Sequence, residues 1–473
     1  MSDPIDDRGD LDAVIDMVAD AAKRYLSTID ARPVVTFDAA DHRERLPRDF
    51  PERGLGSMRA VRALVEDGLA AATASSGPRF FHFVIGGVTP AALGADWLTS
   101  LIDQNGALWP SSPLSARLEQ HSIGWLLDLF DLPLSWGGTL TPSATYANFA
   151  GLAAARHWWA QQHGVDVDAA GLAGLPPVPV FSSGYIHMSA RKALGMLGLG
   201  RDAVRTFARD DAGRLDTAAL RAALQSLRGA PAIIVGNAGE VNAGDFDPIE
   251  EMADLAEEFG AWLHVDGAFG LFARVTPRAH ALTRGVERAH SVASDGHKWL
   301  NVPYDCGFVF VRDPAALARP FAASSAAYLP APDDPNPNYL FLGPDSSRRA
   351  RSLAVWSTLL AYGRDGYRAM IERHLGLARH LARRVEQEPS LELLAPAALN
   401  IVCFRFAPDG TSEDEREALN KRVGAAVLED GRVFVGTSTY QGKTVFRPAI
   451  VNWRTAEADV DALIDVLLEL SKR

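Results

Sequence analysis

Between residues 85 and 315 short apolar runs alternate with helical stretches, and no other feature of the chain restricts its fold as much. The runs "APAIIVGNAGEV", "AWLHVDGAFG", "HSVASDGHK" and "CGFVFVRD" read as strands, and "DPIEEMADLAEEFG" between two of them has helical spacing. Strands of this kind joined through helices predict an α/β fold with a mostly parallel sheet. Such sheets gather ligands at the carboxyl ends of their strands. "HVDGAFG" and "SDGHK" stand at those ends.

The flanks follow other patterns. Leu11, Val14, Ile15, Val18, Ala22 and Tyr25 have the spacing of an amphipathic helix, and so do Met58, Val61, Leu64, Val65 and Leu69. The segment between them is proline-interrupted and charged, so it reads as an extended arm. Its flanking helices must bury their apolar faces somewhere, and a second subunit is the natural surface. After the proline-rich loop at 329–339 come a long helix around "SLAVWSTLLAYG", strands in "LNIVCFRF" and "KTVFRPAIVNW", and two helices. Ser412 and Glu415 have capping-box spacing at the first of those two. Three parts result: a helical arm over 1–84, a large domain over 85–345 and a small α+β domain over 346–473.

Composition excludes several function classes. The chain has 473 residues and a formal net charge of −12, which disfavours nucleic acid as a partner. The two cysteines, Cys306 and Cys403, form no disulfide framework and fit a reducing compartment. No run of about 18 apolar residues predicts a membrane span. The acidic start "MSDPIDDRGD" is not a secretory signal. The expectation is a cytoplasmic enzyme.

Chemistry concentrates at "ASDGHKWLNVPYDCG", residues 293–307. Lys298 stands there beside apolar residues, where an amine is freed to form a Schiff base. An isolated lysine more often packs its stem and extends its head to water, so context has to decide. Asp266, at the end of "AWLHV", could cap a helix, bind a ribose or pair with a pyridinium nitrogen. His187 precedes a helical segment and could lie flat on an aromatic ring or be a core histidine. In "GGTLTPSATYANFAGLAAAR", residues 137–156, hydroxyl residues run into an alanine-rich helix whose N-terminus suits a phosphate.

These four features together match what pyridoxal 5'-phosphate requires, and the spacing of the motifs resembles the group II pyridoxal-phosphate-dependent decarboxylases of the aspartate aminotransferase (fold type I) superfamily. The matching text includes "GPRFFHFVIGG", "ALWPSSPLSARLEQ", "TPSATYANFAGLAAAR", "IHMSARKALGMLG", "HVDGAFG", "DGHKWLNVPYDCG" and "SSRRARSLAVW", across residues 78–375. The resemblance implies a seven-stranded, mostly parallel sheet, a homodimer, and an amino acid substrate decarboxylated through an external aldimine and a quinonoid. It implies Lys298 as the cofactor lysine, His297 as a phosphate contact and Asp266 as partner of the ring nitrogen. Ala268 would lie under the ring, His187 over its other face, and Ala144 and Thr145 at the phosphate. Tyr328 matches the mobile-loop tyrosine that returns a proton after carbon dioxide leaves, and Trp109 the segment donated across the dimer. Phe83 and Arg447 join Trp109 as substrate-pocket residues, with aromatic amino acids the favoured substrates.

The chain also departs from the pattern. Gly239-Glu240-Val241 replaces the usual Gly-Thr-Thr or Gly-Thr-Val, so Glu240 either accepts a basic substrate group or faces solvent. Gly267 stands where alanine is common, and Tyr146 where glutamate is frequent. Rival readings with the same cofactor are an aminotransferase, for which Arg447 would grip a carboxylate, an aldehyde synthase, and a lyase like sphingosine-phosphate lyase. A dinucleotide site is poorly supported because "GMLGLG" has the wrong spacing. His264 and His297 are too scattered to suggest zinc.

Overall fold

The computed structural model describes residues 3–322 and 335–473. Seven strands form the main sheet: β1 Gly137–Thr141, β2 Val180–Ser182, β3 Arg205–Thr206, β4 Ile233–Asn237, β5 Trp262–Asp266, β6 Ser291–Asp295 and β7 Gly307–Val311. Their spatial order is β1-β7-β6-β5-β4-β2-β3. The pairs from β3 through β6 are parallel, and β7 runs antiparallel to both of its neighbours. The expected mostly parallel sheet is present.

The apolar runs are continuous because both faces are covered. Successive side chains of a strand point to opposite faces. Ile233, Val235, Ala293 and Val309 pack with the helix Ala144–Gln161, whose small residues Ala147, Ala150 and Ala154 let it lie close to the sheet. Ile234, Leu263, Val265, Phe308 and Phe310 face the other way, toward Ile249, Met252 and Leu255 of the helix Ile249–Phe259. Each central strand of the β4–β7 group is buried along its whole length.

A second, antiparallel sheet contains β8 Leu391–Leu393, β9 Phe404–Phe406, β10 Thr437–Tyr440 and β11 Lys443–Phe446, in the order β10-β11-β9-β8. Helices Glu413–Asp430 and Glu457–Ser471 cover it, with Val423, Val427, Leu463 and Leu467 in the shared core. The capping box of Ser412 and Glu415 is formed. The helix Ser352–Gln387 is interrupted at Gly363, whose φ of 55° is open to glycine at little steric cost.

One buried ion pair fastens the start of this helix to the large sheet. Arg348 donates to Glu119 at 2.8 Å, and Glu119 also accepts from the Thr139 hydroxyl and the Leu140 amide, each at 2.9 Å. The N-terminal region forms helices at Leu11–Thr28 and Ser57–Ala63 as expected, while the supposedly extended segment between them contains a further helix, Ala39–Arg45. Leu11, Ile15, Val18, Leu26 and Leu64 are exposed in the single chain. Among the described residues no helix is long and apolar enough to cross a membrane.

Candidate active site

Strand β6 ends in Asp295, and residues Gly296–Leu300 then make one wide helical turn. Lys298 departs from helical geometry there, with φ −90° and ψ −105°. Asn301 closes the turn in the left-handed region and holds it from two sides. Its side-chain oxygen accepts the Gly87 amide at 2.8 Å and the Trp453 amide at 3.0 Å, while its side-chain nitrogen donates to the Trp299 and Val451 carbonyls, each at 2.9 Å. Gly86 passes so close that an added Cβ would lie 1.9 Å from the Lys298 carbonyl oxygen. Only glycine fits there without moving the turn.

Lys298 is not alone among apolar groups. Its Nζ lies 3.0 Å from Oδ2 of Asp295, and Oδ1 of Asp295 accepts the Ala144 amide at 2.5 Å. His297 is buried beside them, with Nε2 3.4 Å from the same Oδ1. The Cys306 amide donates to Nδ1 of His297 at 3.4 Å, and the Tyr304 ring stacks on the imidazole at 4.2 Å. Burial holds His297 below the ordinary histidine pKa, with Asp295 opposing.

Asp266, at the end of β5, accepts the Ala268 amide on Oδ1 at 3.1 Å and the Asn148 side-chain amide on Oδ2 at 2.8 Å. His187 is the N-cap of the helix Met188–Met196, and its Nδ1 accepts the Ser189 amide at 3.2 Å. Although part of its ring is exposed, desolvation by the surrounding protein lowers its pKa, with Asp266 pulling upward and Lys298 and Arg447 pushing downward. His187, Asp266, Lys298 and Arg447 are therefore near enough to act on one another electrostatically.

The remaining predicted residues divide into those at this group and those elsewhere. Ala144 and Thr145 open the helix Ala144–Gln161, whose N-cap Ser143 makes no side-chain capping bond. Arg447 is partly buried, and its Nε and Nη1 atoms are buried without a hydrogen-bond partner. Burial depresses its pKa, and Glu240 and Cys403 oppose that. Phe83 has φ 57°, is exposed and tilts against His82 at 3.7 Å. Val84 beside it has φ 58°, an uncommon conformation for a β-branched residue. Trp109 starts a short 3-10 turn, donates its amide to Asn338 at 3.0 Å and lies 5.1 Å under the Arg117 guanidinium. Among the described residues no ring contact or hydrogen bond joins Trp109 to Lys298, Asp266 or His187. Tyr328 lies outside the described residues.

Glu240 does not face solvent. It is buried, and it caps its own loop by accepting from Asn242 and from the Ala243 amide, each at 2.7 Å. Burial raises its pKa, while those bonds and Arg447 restrain the rise. Sequence reading passed over Asp295 and Asn148. Asp295 stands three residues before Lys298, so the spacing within "SDGHK" carried the signal. Asn148 is the one amide side chain in the alanine-rich first half of its helix, a weaker cue.

The Pyridoxal-dependent decarboxylase conserved domain matches residues 41–407. The chain belongs to this family. An L-2,4-diaminobutyrate decarboxylase of Rhizobium meliloti is 31% identical over 98% of this chain and 90% of its own length. An aromatic-L-amino-acid decarboxylase of Bacillus atrophaeus is 27% identical over 94% and 91%. Among solved structures, Oryza sativa TDC with PLP and tryptamine has a TM-score of 0.90 at 23% identity, covering 98% of both chains. Mouse CSAD has a TM-score of 0.88 at 24% identity and covers 99% of both. These structural likenesses establish the fold.

Pyridoxal phosphate is the cofactor of this decarboxylase family, and its members are carboxy-lyases. The donor set fits that group. A lysine amine, a strand-end carboxylate, an imidazole and a helix N-terminus whose first amide is held by Asp295 converge at the carboxyl ends of β5 and β6. Two buried nitrogen atoms of Arg447 stand without partners in the same electrostatic neighbourhood.

Proposed function

We propose that this pyridoxal-dependent decarboxylase removes the α-carboxylate of an aromatic L-amino acid, giving the amine and carbon dioxide. The convergence of Lys298, Asp266 and His187 at the ends of β5 and β6 supports the reading. Bound pyridoxal phosphate supplies an electron sink for the pair left when the carboxylate departs.

The side chains divide the remaining work. Lys298 would hold the cofactor through its Nζ amine, the group that the substrate amine replaces. Asp266 holds a proton on the ring nitrogen, and His187 covers one ring face with Ala268 at the other. The helix end at Ala144 and Thr145 and the imidazole of His297 would take the phosphate, whose charge suits a helix N-terminus, with the Ala144 amide passing from Asp295 to the phosphate. Arg447 offers its guanidinium, with Nε and Nη1 unpaired, to a substrate carboxylate. Phe83 lines the side-chain pocket together with Trp109 from a second copy. Tyr328 returns a proton to the α-carbon. The exposed apolar faces at Leu11, Ile15, Val18 and Leu64 support a homodimer in which residues 1–84 act as the arm, 85–345 as the large domain and 346–473 as the small one.

A second substrate class has its own observation. Glu240 is a buried carboxylate that Arg447 influences, and a diaminobutyrate decarboxylase is among the similar proteins, so a side chain ending in an amine is the alternative. The test is the cofactor-loaded protein incubated with a panel of L-amino acids, reading carbon dioxide and product masses, with Lys298→Ala as control. Amines from aromatic substrates, absent with the control, support the proposal. Amines from diamino acids alone move the substrate to the second class. Keto acids in place of amines contradict decarboxylation, and aldehydes released with carbon dioxide contradict the amine as product.

A further inference from the structure

A chain of hydrogen bonds leads from the back of the sheet to both residues assigned to the cofactor ring. The Trp262 indole nitrogen lies 3.0 Å from Ser291 Oγ, and Ser291 Oγ lies 2.8 Å from His264 Nδ1. His264 Nε2 lies 2.9 Å from Asn148 Oδ1. Asn148 Nδ2 lies 2.8 Å from Asp266 Oδ2 and 3.3 Å from Ser189 Oγ, which lies 2.7 Å from His187 Nδ1.

From Trp262 to Asp266 every proton has one consistent place. The indole nitrogen can only donate, so Ser291 accepts there. Asp266 accepts, so Asn148 turns its amide nitrogen toward it and its oxygen toward His264. His264 must then donate from Nε2, and its neutral ring accepts at Nδ1 from the Ser291 hydroxyl. The second Asn148 hydrogen goes to Ser189 Oγ, which is hydrogen-bonded to His187 Nδ1. Complete burial keeps His264 neutral, with its pKa lowered to about 4, so the pattern holds through the neutral range. Gly151, one turn along the helix from Asn148, makes room for the ring: an added Cβ would lie 2.8 Å from His264 Cε1.

We propose that Asn148 is the positioning residue for the cofactor ring, setting the orientation of Asp266 directly and of His187 through Ser189, with His264, Ser291 and Trp262 fixing which way its amide points. The inference rests on the assignment of Asp266 to the ring nitrogen. Without Asn148 the Asp266 carboxylate loses an anchoring donor on one oxygen and His187 loses its link to the same point. Hydrogen-bonded partners one layer behind a ligand group govern its orientation in this way at metal sites too.

The experiment measures the dissociation constant of pyridoxal phosphate by fluorescence, and the visible spectrum of the bound cofactor, for a set of variants. Asp266→Ala is the control. Asn148→Ala and His264→Asn are expected to weaken binding about tenfold and to change the spectrum in the direction of Asp266→Ala. His264→Gln places an amide nitrogen near the Nε2 position and keeps the bond to Asn148, so it is expected to bind within about twofold of the wild type. A structural role alone predicts no such split between asparagine and glutamine. If Asn148→Ala does not fold, the His264 pair decides. Wild-type affinity and spectrum in both Asn148→Ala and His264→Asn, with Asp266→Ala impaired, overturn the inference. An unimpaired Asp266→Ala refutes the role of Asp266 itself, and the inference with it.

Discussion

Asp295 holds Lys298 with one carboxylate oxygen, at 3.0 Å, and the first amide of the helix Ala144–Gln161 with the other, at 2.5 Å. One side chain thus joins the lysine-bearing turn to the helix end assigned to the phosphate. The arrangement has a simple physical basis: an anion is favourable both at a helix N-terminus and beside an ammonium group. It also means that a charged partner, rather than apolar packing alone, positions the lysine.

Replacing Asp295 by alanine leaves the Ala144 amide and the Lys298 ammonium unpaired. The cofactor-free protein is expected to lose about 1.5–3 kcal/mol of stability, measured by urea denaturation. Asp295→Asn keeps an acceptor for Ala144 and is expected to lose less.

Gly86→Ala tests the placement of the lysine turn. Its Cβ would meet the Lys298 carbonyl at 1.9 Å, so the turn has to shift. A displacement of about 1 Å at a reacting group costs on the order of 10²-fold in rate. The expected result is a loss of that size in kcat/KM, with the far-ultraviolet circular dichroism unchanged.

How much of this was legible beforehand differs from element to element. The strands β4 to β7 were visible because burial on both faces leaves unbroken apolar text, and the helix after Ser412 because its cap is written in adjacent residues. The helix Ala39–Arg45 was hidden in a segment whose prolines and charges suggested extension. Lys298, Asp266 and His187 could be singled out because each sits at an element end. The hydrogen bonds of Asn148 could not, since its partners His264 and Asp266 are more than a hundred positions away in the chain. Only the packing of helix on sheet brings them together.

The buried pair of Glu119 and Arg348 has a structural consequence. Glu119→Ala strands a buried guanidinium and removes the acceptor of Thr139 and Leu140, so a loss of about 3–5 kcal/mol is expected in chemical denaturation. Glu119→Ala combined with Arg348→Met is expected to lose less than the two single changes added together.

Acid sensitivity follows from buried neutral histidines. His374 accepts the Trp299 indole N–H at 2.8 Å, and burial lowers its pKa from 6.5 to about 3. The unfolded chain therefore takes up this proton first as pH falls below about 6.5, and stability drops through the window down to the folded-state value. The slope for one such group is about 1.4 kcal/mol per pH unit. Asp247 works in the opposite sense, because burial raises its pKa to about 6 and its strain eases as it protonates. A comparison isolates the histidine: His374→Asn places an amide oxygen near the Nδ1 position that accepts from Trp299, and it is expected to flatten the stability profile between pH 4 and 6.5 by about that slope.

The most direct measurement is to reduce the cofactor-loaded protein with borohydride, digest it and locate the pyridoxyl group by peptide mass spectrometry. The account predicts the label on Lys298 and no label on the Lys298→Ala protein. A label on another lysine, or equal labelling of the variant, would contradict it.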